Sequence, residues 1–194
     1  LPYSGEQFGV PGNIFIVGTM NTSDRSIAFI DSALRRRFKF IEMLPDLGVI
    51  EKAIGNGGKI NGVSILDLLK SLNQRIELIY DRDHQIGHSY FMKAKSLADL
   101  REIFLSEIIP LLQEYFYSDW NKVCQILGCP YDLETGEILR GNNFPMIQAS
   151  MLTAMDSLGF ELDEVENSIR YKINPKFVSA DENNLIEFFN GVLK

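Results

Sequence analysis

The sequence predicts an α/β chain that opens with one βαβ unit of a parallel sheet, continues as a mainly α-helical region and ends in a mixed α+β tail. Near the N-terminus, a run of β-branched and aromatic residues is typical of a strand buried on both faces. Through the middle of the chain, apolar residues recur at helical spacing. The composition, 45% hydrophobic and 23% charged over 194 residues, is that of a folded globular chain.

The first predicted unit covers residues 1–45 and ends at Pro45. Its first strand spans residues 13–19, where four adjacent apolar side chains favour burial on both faces. A helix at 26–36 and a second strand at 38–43 complete the βαβ unit. One such unit is too small to form a domain, so we expect the rest of its sheet to come from chain outside this sequence.

The second predicted unit, residues 46–128, is helical. Its elements are helices at 46–54, 64–80 and 96–127, the last broken or kinked at Pro110, and a loop at 81–91. The tail, residues 129–194, carries less regular signals. It is predicted to hold a short hairpin around 134–137, a short helix or irregular segment at 150–158, a half-exposed strand at 169–173 and a terminal helix at 181–190.

Charge and composition exclude several classes of protein. The net charge is −7, of which residues 130–194 supply −6, and this is not the charge of an autonomous nucleic-acid binder. We therefore expect any DNA contacts to lie mostly in other regions of the protein, or in a small local patch. The sequence has no run long and apolar enough to predict a membrane span, and we expect no signal peptide. Cys124 and Cys129 fit no zinc pattern and are expected to be reduced thiols of a cytoplasmic protein.

A polar cluster follows the first predicted strand. Thr19, Asn21, Thr22 and Asp24 would lie at the carboxyl end of that strand, the edge at which open α/β sheets bind ligands. A neutral amide such as that of Asn21 can hold a water molecule or a phosphate oxygen without adding charge. The cluster therefore marks this edge as a candidate ligand site.

Three consecutive arginines, Arg35, Arg36 and Arg37, close the predicted helix. Guanidinium groups are planar, forked and always charged, which suits them to phosphate. Basic residues at a helix C-terminus also complement the helix dipole and are often simply solvated, so both interpretations stay open at this point. Consecutive residues on a helix splay apart, so at least one arginine should point away, towards a neighbouring subunit.

The strings in this region resemble a known family. Residues 20–26 read MNTSDRS, similar to the MNTADRS signature of the McrB family of AAA+ nucleotidases, with Ser23 in place of Ala. Residues 31–38 contain its ALRRRF segment, and residues 10–13 and 85–91 are similar as well. The resemblance implies the C-terminal part of an AAA+ module, with 46–127 as its helical lid. It also implies a GTP-hydrolysing motor of a modification-dependent restriction system.

The resemblance assigns roles in the first unit. It implies that Asn21 is the sensor residue that positions the attacking water or the γ-phosphate, and that Asp24 orients Arg25 or the water network. Thr22 and Arg25 belong to the same signature and are expected to contact nucleotide. Asp31 is expected to brace the arginines.

Arg36 and Arg37 resemble arginine fingers that reach the nucleotide of an adjacent subunit in a ring. Which of the two is the finger stays open.

The lid resemblance singles out His88 and Ser89, at a position where related AAA+ modules supply an arginine to the phosphates. Either residue could replace that arginine. Alternatively, the lid makes no phosphate contact and His88 is a loop histidine bonded to backbone. A metal pair of His84 and His88 is disfavoured because Gly87 between them indicates a loop.

The sequence lacks the phosphate-cradling G-x-x-x-x-G-K-[ST] loop. Residues 55–60 fail its spacing, and no acidic pair for Mg²⁺ precedes Asn13. Because the chain also begins without Met, we expect a fragment whose cradle and metal site lie upstream. This fragment is expected to be inactive alone and to hold no cofactor tightly, whereas the full-length protein would use GTP (or ATP) and Mg²⁺.

The family resemblance implies a homo-oligomeric ring, a hexamer, that works with a McrC-like nuclease subunit to cleave DNA carrying 5-methylcytosine. Two alternatives remain open. One is an AAA+ ATPase that remodels protein complexes, and the other is a non-catalytic assembly or regulatory module whose arginines serve a partner. The preference for GTP or ATP, the modification recognised and the role of residues 129–194 are not settled by the sequence.

Overall fold

The computed structural model describes most of the chain. The described residues are 5, 9–23, 32–117, 119–132, 135–139, 144–151 and 169–193. The chain divides into two compact units, Leu1–Phe40 and Ile41–Lys194.

The βαβ unit predicted for the first unit is not observed in the described residues. Residues 14–20 form no strand ladder, and Phe15 and Val17 are 90% and 92% exposed. The only helix described here, α1 (Ser32–Arg35), covers the end of the predicted one, because residues 24–31 lie outside the described part. An extended segment becomes a strand only when a neighbouring backbone satisfies its N–H and C=O groups. The described residues provide no such neighbour for 14–20.

The predicted strand at 38–43 is absent for the same reason. These residues have no ladder partner in the described chain and run without regular structure into the second unit. Phe40, Ile41 and Met43 are exposed. The apolar character that indicated a strand is therefore present, but it is not buried here.

The second unit begins with the predicted short helix, α2 (Leu47–Ile54). The carboxylate of Asp46 caps it by accepting a hydrogen bond from the Gly48 N–H at 2.8 Å. Gly55 ends it with φ +71°, a left-handed conformation that favours glycine. A two-stranded antiparallel hairpin that the sequence did not predict follows, β1 (Lys59–Ile60) with β2 (Val63–Ser64).

Helix α3 (Ile65–Ile79) is the centre of this unit and confirms the periodicity of 64–80. The Ser64 hydroxyl caps it by accepting from the Asp67 N–H at 3.2 Å. Its buried stripe consists of Ile65, Leu68, Leu69, Leu72, Asn73 and Ile76. Asn73 is the one polar member of that stripe.

The predicted long helix 96–127 is divided into α4 (Leu97–Ile103), α5 (Ile109–Tyr115) and α6 (Trp120–Ile126). A π-helical turn, Phe104–Ile108, joins the first two, and the Ile109 N–H bonds back to the Phe104 carbonyl. Pro110 explains the turn, since it has no N–H and its ring displaces the carbonyl four residues earlier. The break between α5 and α6 lies at Tyr117, with φ +49°.

The tail packs into the same core as the helices. Strands β3 (Ile147–Met151) and β4 (Ile169–Ile173) pair antiparallel, which confirms the predicted strand at 169–173. The short helix α7 (Pro175–Val178) leads to the terminal helix α8 (Glu182–Leu193), which packs on α3 and α4.

The hairpin predicted around 134–137 is confirmed by an antiparallel bridge between Tyr131 and Ile138. Of the segment 150–158, the first two residues belong to β3 and the others lie outside the described residues.

Cys124 and Cys129 are both free and buried. A hydrogen bond that the Cys124 S–H donates to Cys129, together with burial, raises the pKa of the Cys124 thiol. Such a thiol is an unreactive core group. In the described ranges no group of His, Cys, Asp and Glu could hold a metal ion. No helix there is both long and apolar enough to span a bilayer.

Candidate functional site

In the first unit, the Asn21 carboxamide forms a local turn. Its oxygen accepts hydrogen bonds from the Ser23 N–H at 3.2 Å and from the Ser23 hydroxyl at 2.7 Å. Asparagine commonly makes this turn with the residue two positions on. Because the oxygen is engaged, the Asn21 NH₂ group is the part suited to meet a ligand oxygen. Asn21 is exposed.

Apart from the three consecutive arginines, the first unit has four other residues with predicted roles, namely Thr22, Asp24, Arg25 and Asp31. Thr22 is exposed. Asp24, Arg25 and Asp31 lie outside the described residues, so their predicted roles stay predictions.

Arg35 is the last residue of α1, Arg36 and Arg37 follow it, and all three are exposed. They differ in surroundings. The Arg35 guanidinium lies 5.4 Å from the centroid of the Phe40 ring, a cation–π contact within its own segment. Arg36 and Arg37 have no ion pair among the described residues. Two adjacent, uncompensated guanidinium groups form a surface suited to an anion.

Asn21 and the arginines are not joined by any hydrogen bond within the described part of the chain. The geometry of the first unit therefore presents two separate polar features, the Asn21 turn and the arginine run.

In the second unit, the loop at 81–91 is held in place by Asn73. The Asn73 NH₂ group donates to the Ile86 carbonyl at 3.0 Å, and its oxygen accepts from the Ile86 N–H at 2.7 Å. The Ile86 side chain is fully buried. The amide of Asn73 thus replaces a backbone partner for Ile86, and the loop is fixed just before Gly87 and His88.

A second anchor of this loop is His84, which is buried. Its Nδ1 lies 2.6 Å from Asp81 Oδ1, and its ring packs between Tyr80 and Tyr115, with centroids 4.3 and 4.8 Å away. Burial, with further contributions from nearby groups such as Tyr90, raises the pKa of Tyr115 to about 12. Its phenol is therefore neutral at pH 7.

His88 opens a short 3₁₀ helix, His88–Phe91, and is partly buried. Its Nδ1 accepts a hydrogen bond from the Asp46 N–H at 3.0 Å. The expectation of a loop histidine bonded to backbone is thus confirmed for this nitrogen. Ser89 is exposed. His84 and His88 bond different partners and do not form a metal pair in the described structure.

Sequence reasoning missed Asn73 and Asp81. The signal for Asn73 was present, since it is a polar residue on the apolar stripe of α3 and a buried amide requires partners. Asp81 carried no comparable signal, because acidic residues are common after a helix and its bond to His84 depends on how the loop folds.

Comparison with known proteins identifies this helical unit as a lid. Residues 64–124, which contain α3 to α5 and most of α6, match the family described as McrB, alpha-helical lid domain. The chain therefore carries an McrB-type lid, which confirms the family resemblance of its sequence.

A relative with this similarity is the Type IV methyl-directed restriction enzyme EcoKMcrB subunit of Escherichia coli (strain K12). It is 39% identical over 127 residues, which cover 59% of this chain and 28% of the relative. The chain thus spans well under half the length of that protein.

Proposed function

We propose that this chain is the sensor, arginine-finger and lid portion of a nucleotide-hydrolysing motor in a McrBC-like restriction system. The lid match at residues 64–124 carries the proposal, because the MNTSDRS and ALRRRF strings, which resemble the same family, precede that lid along the chain. The description of the E. coli relative as a methyl-directed restriction enzyme subunit supports the restriction context.

The residues of the first unit have complementary chemistry for this role. The Asn21 NH₂ group donates to a γ-phosphate oxygen or to the attacking water, while Thr22, Asp24 and Arg25 complete the signature around it. Arg36 and Arg37 offer positive charge without an ion pair in the described chain. Positive charge placed where a phosphoryl group develops negative charge lowers the barrier to its transfer.

The nucleotide is GTP, or ATP in the alternative, with Mg²⁺. The exposed arginines fit its phosphates, but the chain has no G-x-x-x-x-G-K-[ST] string, and its described residues contain no metal-holding cluster. We therefore assign the phosphate cradle and the metal ligands to another part of the longer protein. The isolated chain is expected not to turn over nucleotide.

The intact protein would form a homo-oligomeric ring, a hexamer, so that Arg36 or Arg37 of one subunit serves the nucleotide of the next. A McrC-like nuclease subunit and DNA bound through other regions are the partners of such a ring. By the resemblance, either His88 or Ser89 would supply a lid contact with nucleotide, and Ser89 is the exposed one of the two.

The arginine assignment is tested in the full-length protein with Arg36→Ala and Arg37→Ala. Arg35→Ala is the matched control, since Arg35 has the same charge on the same run but contacts the Phe40 ring. A finger variant should bind nucleotide normally and hydrolyse it on the order of 10³-fold more slowly. Arg35→Ala should retain most of the activity. Equal, small losses in all three would show that the run is only a solvated basic surface.

Action between subunits is tested by mixing. A finger variant combined with a variant lacking the phosphate-loop Lys should regain turnover, because some interfaces then pair an intact cradle with an intact arginine. Failure to regain turnover in rings that demonstrably mix would contradict the assignment between subunits.

The sensor role is tested by Asn21→Ala in the full-length protein. Asn21 is exposed and bonds only to Ser23 among the described residues, so thermal stability should hardly change. Loss of one preorganised polar contact should lower kcat by roughly 10²-fold. A variant that unfolds, while its folded fraction keeps full activity, would show that Asn21 is structural.

A further inference from the structure

The connector, residues 41–46, joins the arginine run to the lid along the chain. It ends at Asp46, whose carboxylate caps α2 and whose backbone N–H donates to His88 Nδ1 at 3.0 Å. The two residues are 42 positions apart. The N-cap residue of α2 is therefore tied to the loop at 81–91.

This bond fixes the state of the imidazole. A nitrogen that accepts from an N–H carries a lone pair, so the proton of the neutral ring resides on Nε2. The Nδ1 edge is committed to the connector, and only the Nε2 edge remains to donate elsewhere.

The loop gives His88 a rigid support. Asn73 holds both backbone groups of Ile86, two residues before His88, and the side chain of Phe91 is fully buried three residues after it. The loop contacts the connector a second time through an ion pair between Arg82 and Glu42 at 3.2 Å. Both partners of that pair are more than half exposed, so it contributes little.

We propose that His88 is a positioning residue that clamps the connector to the lid through its Nδ1. In this role it acts on hydrolysis by fixing Asp46, the residue at which the arginine-bearing chain enters the lid, and not by touching nucleotide. The effect on hydrolysis rests on the function proposed above, whereas the clamp itself can be measured without nucleotide.

The test compares His88→Asn, His88→Gln and His88→Ala. The asparagine oxygen can occupy the position of Nδ1 and keep the bond to Asp46, whereas the glutamine amide extends to the position of Nε2. In this chain, amide exchange at Asp46 should stay close to the native rate in His88→Asn. It should rise on the order of fivefold to tenfold in His88→Gln and His88→Ala, the scale of one hydrogen bond. Amide protection in α8 reports whether each variant is folded.

An Asp46 exchange rate that is unchanged in folded His88→Ala and His88→Gln overturns the clamp, and it does so whatever the nucleotide assays show. In the full-length protein, kcat should follow the same order, with His88→Asn near native and the other two reduced, at unchanged KM for nucleotide. The opposite order, with His88→Gln active and His88→Asn impaired, would place the role at Nε2 and refute positioning. Arg82→Gln is the control, and it should leave both readouts near native.

Discussion

Replacing Asn73 with Ala should lower the free energy of unfolding of the lid far more than removing an exposed polar side chain would. Asn73 is 8% exposed, and its two hydrogen bonds to Ile86, at 3.0 and 2.7 Å, satisfy both backbone groups of that residue. Alanine leaves the Ile86 N–H and C=O without partners in a buried setting. Each unsatisfied group costs about 1–3 kcal/mol, so the free energy of unfolding should fall by about 2–6 kcal/mol.

Urea unfolding of the 194-residue chain measures this change. Gln74→Ala is the matched control, because Gln74 is the next residue of α3 and is exposed, and its change should lie within about 0.5 kcal/mol. Asn73→Asp adds a second test. It keeps an acceptor for the Ile86 N–H but sets a carboxylate against the Ile86 carbonyl. Its loss of unfolding free energy should therefore be as large as that of Asn73→Ala. A loss in Asn73→Ala no larger than in Gln74→Ala would refute the reasoning.

Two further predictions concern helix ends. Gly128→Ala should lower the free energy of unfolding by about 1–3 kcal/mol in urea titration. Gly128 has φ +74°, and an added Cβ would lie 3.1 Å from the Gly191 carbonyl oxygen. An unchanged urea midpoint would contradict this prediction. At Asp99, hydrogen bonds donated to the carboxylate by the Lys95 N–H, the Ser96 hydroxyl and the Ser96 N–H hold the pKa of the carboxyl below its usual range. Its stabilisation is therefore present above the ordinary carboxyl pKa and lost as pH falls through the lower folded pKa. Asp99→Asn should be less stable than the native chain at pH 7 and match it in strong acid, and a pH-independent difference would refute the charge argument.

The helices of the second unit could be predicted because their signals are local. The apolar stripe of α3 repeats at helical spacing, and Ser64 marks its start within the same stretch of sequence. The interruption at Pro110 was also predictable, since its cause is the proline itself. The π-helical form of that interruption was not, because it depends on how the Ile109 N–H finds the Phe104 carbonyl.

The first unit shows the opposite case. The apolar run at 14–17 indicates a buried strand, but burial and pairing are properties of neighbours that a local pattern does not contain. Phe15 and Val17 are exposed in the described structure, so the sequence correctly reports a segment suited to a sheet and cannot report whether a sheet is present.

The candidate site also has a part that the sequence predicts and a part that it does not. Asn21, Arg36, Arg37 and His88 were identified by residue type within strings that resemble a family, and their roles towards nucleotide remain proposals. The bonds that position the lid loop, from Asn73 to Ile86 and from Asp46 to His88, join residues 13 and 42 positions apart. Both bonds use common residue types at no characteristic spacing, so no sequence motif predicts them. The residues proposed to meet nucleotide could thus be selected from sequence strings, whereas the support that holds His88 in one tautomer and one place is visible only once the chain is folded.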